Sequence, residues 1–65
     1  MYRDNKDRVL GYLERCGQRV GHTVLLSRMS YAMNAYELHK VLDELIRDGL
    51  VTETKDETGH YYELT

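Results

Sequence analysis

A chain of 65 residues with one cysteine has room for a single domain with a thin core and for no internal disulfide. With 42% hydrophobic and 31% charged residues it is too apolar for a disordered segment, and it lacks the long uncharged apolar run of a transmembrane helix. A formal net charge of −2 excludes a uniformly basic DNA-coating protein, so any nucleic-acid contact must come from a locally basic face.

Met1 to Arg3 is expected to fray. The opening M-Y-R-D-N-K-D-R is charged and has no apolar segment of a signal peptide. With Cys16 as the lone thiol, this points to a reducing, intracellular and cytoplasmic setting. Asp4 or Asn5 can cap a first helix whose apolar stripe is Val9, Leu10, Leu13 and Cys16, with Tyr12 at its edge. Gly11 weakens that helix by roughly 1 kcal/mol unless it admits a close neighbour, and Gly17 suits its end. Gln18 to His22 is a connector with room for a residue or two of strand at Arg19–Val20. Thr23 can cap a short second helix, with Leu25, Leu26 and Met29 inward and Ser27, Arg28 and Ser30 outward. Tyr31-Ala32-Met33 is a tight link that draws Met33 into the core.

The strongest signal follows. Leu38, Val41, Leu42, Leu45 and Ile46 fall at i, i+3, i+4, i+7 and i+8, one stripe of an amphipathic helix over residues 34–48. Asn34 with Glu37 three residues on has capping-box spacing, and Gly49 suits a left-handed residue just past the end. The other face carries Tyr36, His39, Lys40, Asp43 and Arg47. After Gly49 the period changes: Leu50 to Thr54 alternates as a strand, Lys55 to Gly59 is a turn, and His60 to Thr65 is a second strand. These read as a hairpin with a longer loop, with Tyr62 and Leu64 on one face. Leu42 and Leu45 are expected to bury against Leu10, Leu13, Leu26 and Leu64, while Tyr12, Tyr31 and Tyr62 edge the core with hydroxyls in water.

The fold class is therefore α+β, one domain over residues 1–65: three helices followed by a two-stranded hairpin. Two helices joined by a short turn, the second long and amphipathic, make a helix-turn-helix, and the hairpin makes it winged. The run M-N-A-Y-E-L-H-K-V-L-D-E-L-I-R-D-G-L-V-T, followed by Y-Y-E-L-T, resembles the winged helix-turn-helix transcription regulators of bacteria, archaea and their viruses. The matching positions are Met33, Asn34, Leu38, Leu42, Leu45, Asp48, Gly49, Leu50, Val51, Tyr62, Leu64 and Thr65. The likeness spans essentially the whole chain, but most of these positions are core or caps. It implies that Ala35, Tyr36, His39, Lys40 and Asp43 occupy recognition-helix positions and that Lys55 and His60 sit on the wing. The third helix then enters the major groove of double-stranded DNA, Lys40 takes phosphate or guanine, and His39 and Asn34 bond base or phosphate. Arg19, His22 and Arg28 meet the backbone from the connector and second helix.

Two features depart from the family pattern. Asp56 and Glu57 occupy the wing loop, where DNA-binding wings are basic, which weighs against a wing-to-phosphate contact. The chain ends where many relatives continue into a dimerising helix, so a homodimer is expected to use another surface, such as the first helix with Tyr2, Tyr12 and Cys16. The rival reading is a protein-docking module on the same scaffold, which the acidic balance permits. No enzyme is expected, because no nucleophile–base pair or phosphate loop appears. No metal or other cofactor is expected either: Cys16, His22, His39 and His60 fit no compact ligand spacing. Cys16 reads as an inert core thiol.

Overall fold

The computed structural model describes residues 4–65. The expected fraying of Met1 to Arg3, and the place of Tyr2 on a dimer surface, lie outside the described residues. The elements in chain order are α1 (Asn5–Cys16), β1 (Val20–Gly21), α2 (His22–Met29), α3 (Ala35–Arg47), β2 (Val51–Asp56) and β3 (Gly59–Leu64). The fold is a small α+β domain of three helices and one antiparallel sheet in the order β1–β3–β2.

Local chemistry sets the helix ends. Asp4 caps α1 by accepting from the Asp7 N–H at 2.9 Å. Asn34 caps α3 with a full capping box: its Oδ1 accepts from the Glu37 N–H at 2.8 Å, and its own N–H donates to Glu37 Oε1 at 3.0 Å. Past the helices, Gly17 and Gly49 take left-handed backbone with φ of 65° and 78°, conformations that a Cβ would penalise. The link from α2 turns on the Met29 carbonyl, which accepts from both the Ala32 and Met33 N–H groups at 3.0 Å. Met33 is buried, as expected.

The predicted two-stranded hairpin is instead part of a three-stranded sheet. Val20 pairs with Tyr62 and Gly21 with Tyr61, so the connector supplies a short third strand. That pairing keeps the backbone extended through Gly21, and α2 begins on the next residue. Gly21 is therefore the N-cap, without a side-chain bond, and Thr23 lies exposed inside the helix rather than capping it. The hairpin loop is also shorter than predicted. The ladder runs from Val51↔Leu64 to Asp56↔Gly59, leaving only Glu57 and Thr58 at the tip. Asp56 Oδ1 closes this turn by accepting from the Thr58 N–H, the Thr58 hydroxyl and the Gly59 N–H at 2.9, 2.6 and 3.1 Å.

The core consists of Val9, Leu13, Val20, Leu25, Met29, Met33, Leu38, Val41, Leu42, Leu45, Val51 and Tyr62. Its centre is α3, whose stripe packs between α1 and the sheet. Leu10, Tyr12, Cys16, Leu26, Ala32 and Ile46 pack partly buried around it. Leu64 departs from expectation: at the end of β3, beside α1, it is 37% exposed. There it lines an open groove with Leu10, Gly11 and Leu50, so Gly11 borders a groove rather than a packed neighbour. Tyr31 does not edge the core but is 73% exposed. Tyr62 is buried, and its hydroxyl meets Glu53 instead of water. No helix among the described residues is long and apolar enough to cross a membrane.

Leu42, only 1% exposed, is the sensitive position. Leu42→Ala is expected to cost on the order of 2–5 kcal/mol, enough to unfold much of a domain this small; chemical denaturation checks it, and a loss below about 1 kcal/mol would contradict this packing. Asn34→Ala removes one acceptor of the capping box and is expected to cost roughly 1 kcal/mol in the same measurement, with Asn34→Asp near neutral.

Candidate nucleic-acid interface

The buried stripe of α3 fixes which of its residues face out. Tyr36, Lys40, Asp43 and Arg47 recur at i, i+4, i+7 and i+11, opposite the core, and all are exposed. Tyr36 stands in the first turn with 76% of its surface open. Lys40 follows one turn later, with Asp43 and Arg47 beyond. Glu37, Glu44 and Asp48 form an acidic flank on one side of this column. His39 lies on the other flank, toward the start of α2. Asn34 and Ala35 are exposed at the helix entrance, with the Asn34 side chain committed to the cap.

Arg28, exposed near the end of α2, has its guanidinium close to the Tyr12 hydroxyl. That hydroxyl is held above its usual range by the neighbouring Cys16 thiol and by burial, while Arg28 pulls the other way. Among the described residues, Arg28, Lys40, Arg47 and Lys55 form no ion pair. Arg47 belongs to the outward column by the same periodicity that exposes Lys40, and the helix spacing alone could have placed it among the candidates.

Arg19 is differently placed. Its guanidinium lies 4.0 Å from the centre of the Tyr61 ring and 3.5 Å from Asp56 Oδ2. Tyr61 also donates from its hydroxyl to Thr58 Oγ1 at 2.9 Å. Arg19 thus braces the hairpin tip on the sheet face away from the helices. The Asp56 carboxyl is held below its usual range, chiefly by the Thr58 hydroxyl and backbone N–H, with smaller help from Gly59 and Arg19. Lys55 remains an exposed cation beside the tip.

The structure brings together three residues expected at separate contacts: His22 from the start of α2, His39 from α3 and His60 from β3. The ring centres of His22 and His39 lie 5.0 Å apart and those of His22 and His60 4.9 Å apart, with planes within 8° and 13° of parallel. His22 Nε2 is 2.7 Å from His39 Nε2. His60 Nε2 is 2.6 Å from Glu53 Oε2, which also accepts from the Tyr62 hydroxyl at 3.3 Å. This arrangement follows from register: Glu53 faces Tyr62 across the ladder, and Lys55 faces His60, all on the sheet face turned to the helices. The His60 hydrogen bond holds the Glu53 carboxyl below its usual range, against its partial burial. Burial first, and Glu53 second, push the Tyr62 hydroxyl well up. Burial, then His39 and His60, hold the His22 imidazole down, with Glu53 opposing.

His39 and His60 therefore have their Nε2 atoms engaged by other groups of the protein, but His39 is exposed, as are Tyr36, Lys40, Arg47, Arg28 and Lys55. Sequence reading missed Glu53 and Tyr62 as partners, because hydrogen bonds across a ladder leave no mark in local spacing. Among the described residues no group of three His, Cys, Asp or Glu side chains is placed so that it could hold a metal ion. No family model matches this sequence, and neither a curated protein nor a solved structure matches it.

Proposed function

We propose that this chain is a winged helix-turn-helix module that binds double-stranded DNA as a transcription regulator, with α3 in the major groove. The observation that carries this reading is the outward column of α3. A large aromatic, Tyr36, and a cation, Lys40, stand in the first two turns of a well-capped helix, on the side that contributes nothing to the core. A major groove admits one α-helix and is read from the helix's first turns, where base edges offer hydrogen bonds and methyl groups. The short turn from α2 to α3 and the hairpin that follows α3 agree with such docking. In this reading Lys40, Arg47 and Arg28 neutralise phosphates and Lys55 is the wing's cation. Asn34 and Ala35 lie where the helix meets the backbone. Arg19 shapes the wing instead of touching DNA, and the contacts that run from His60 through His22 to His39 tie α3 to α2 and the sheet. The protein acts in the cytoplasm as a homodimer, matching the two half-sites of a palindromic operator.

A protein-docking reading rests on a specific observation too. Asp43 interrupts the basic column, and Glu37, Glu44 and Asp48 flank it. On a protein partner, Tyr36 would serve as the aromatic anchor.

Salt-dependent binding separates the two. Lys40→Ala and Arg28→Ala are each expected to weaken duplex DNA binding without loss of stability. Each is expected to flatten the slope of log K against log salt by about 0.9 per lost contact in each protomer. Tyr36→Ala is expected to weaken the preferred sequence more than random DNA, by roughly 1–3 kcal/mol. Fluorescence anisotropy at several salt concentrations measures both. A folded protein with no affinity for duplex DNA at low salt would leave only the docking reading.

A further inference from the structure

The contact between His22 and His39 has a more specific geometry than packing requires. Their Nε2 atoms are 2.7 Å apart, their ring centres 5.0 Å apart, and their planes 8° from parallel. The centre-to-centre distance equals the nitrogen-to-nitrogen distance plus one ring radius at each end. The two imidazoles are thus head to head and nearly coplanar, not stacked face to face. A short contact along both ring planes is an N–H···N hydrogen bond, in which one Nε2 carries hydrogen and the other offers its lone pair.

We propose that the His22–His39 pair is a proton-operated clasp that fastens the start of α2 to α3, closed with one proton on the N···N line and opened when the acceptor nitrogen is protonated as well. The accounting is simple. In the neutral pair, the donor ring has hydrogen on Nε2 and the acceptor ring has hydrogen on Nδ1. A first added proton goes to the donor ring's Nδ1, and the resulting imidazolium donates a charge-assisted bond to its partner. A second fills the acceptor's lone pair, so that two N–H groups and two positive charges face each other, and the contact breaks.

The neighbouring charged groups of the protein give little relief to that second charge. From α3, Lys40 and Asp43 are the charged groups next to His39, and Asp43 acts on Tyr62. From β2 come Glu53 and Lys55, and from β3 His60 and Tyr62; β1 offers only Val20 and Gly21. The Glu53 carboxylate is the natural counter-ion, yet it already holds His60 and the Tyr62 hydroxyl. The low proton affinity of the His22 imidazole, caused first by burial and then by its two histidine neighbours, agrees. A metal does not fit the N···N line, because two Zn–N bonds of about 2.0–2.1 Å at a tetrahedral angle need nitrogens farther apart than 2.7 Å, and no group of three side chains among the described residues is placed to hold a metal ion.

The sign follows. Histidine in the unfolded chain takes up its proton near pH ~6.5, while the closed pair resists its second. Below that pH the unfolded state binds more protons than the folded state, so stability falls as pH falls. The clasp does not depend on the DNA reading, and its test needs no DNA.

The test is an NMR titration of the histidine rings from neutral to acid pH in the presence of a chelator, on the wild type and His39→Gln. Glutamine can place an amide near the same nitrogen position but cannot titrate. In the wild type, His22 and His39 are expected to take up protons in two steps separated by about one pH unit or more, and amide shifts at the start of α2 follow the second step. In His39→Gln, His22 is expected to titrate in one step, and the acid-induced drop in Tm is expected to shrink. A single common step in the wild type, or a His22 titration unmoved by His39→Gln, would overturn the clasp. Both steps vanishing with equimolar Zn²⁺ would make the pair a metal site and overturn it equally. If His39→Gln does not fold, the two-step test on the wild type decides alone.

Discussion

Everything in this domain depends on one strip of α3. Leu38, Val41, Leu42 and Leu45 are its buried residues, and through them α3 packs against α1, α2 and the sheet. A chain this short has no second core to fall back on. With that strip buried, the opposite column from Tyr36 to Arg47 must face away from the protein. The capping box adds to this by fixing where α3 begins, and so which residues stand in its first turn. Stability and the candidate interface are thus two faces of one helix phase.

The second constraint is the pairing of Val20 and Gly21 with β3. It is only a two-residue strand, but it joins the connector after α1 to the hairpin at the chain's other end. Because the pairing holds Gly21 extended, His22 becomes the first residue of α2 and comes close to His39 and His60. On the other face of the sheet, the same strand's neighbour, Arg19, reaches Tyr61 and Asp56 and braces a tip already closed by the Asp56 carboxylate. A pair of backbone-paired residues thus organises a polar cluster toward the helices and a cation–aromatic brace away from them.

The two clusters change the electrical character of the molecule. Arg19 and Asp56 offset each other, and Glu53 is held by His60 and Tyr62. Arg28, Lys40, Arg47 and Lys55 are among the cations without ionic partners in the described residues, and for the proposed DNA reading they count for more than the formal charge of −2. The acidic flank of α3 remains beside them, and for this reason the DNA reading is a matter for salt-dependent binding rather than net charge.

The sequence by itself determined what is local. The caps at Asp4 and Asn34, the left-handed glycines 17 and 49, the buried phase of α3 and the change of period after Gly49 all arise from interactions within a few residues, which spacing records directly. The exposure of Tyr36 and Lys40 was legible for the same reason. Tertiary structure decided the rest. Whether Val20 and Gly21 form a strand depended on a partner some forty positions along, and without it Thr23 was a reasonable cap. Leu64 alternates correctly yet lies exposed, because alternation chooses a face of the sheet and not how closely α1 packs on it, and an open groove is left between them. The histidines carry the largest difference between the two levels. Their spacing along the chain fits no ligand pattern, and His22 and His39 are 17 residues apart. They meet because α2, α3 and β3 pack together, and side-chain hydrogen bonds between elements follow packing rather than sequence order.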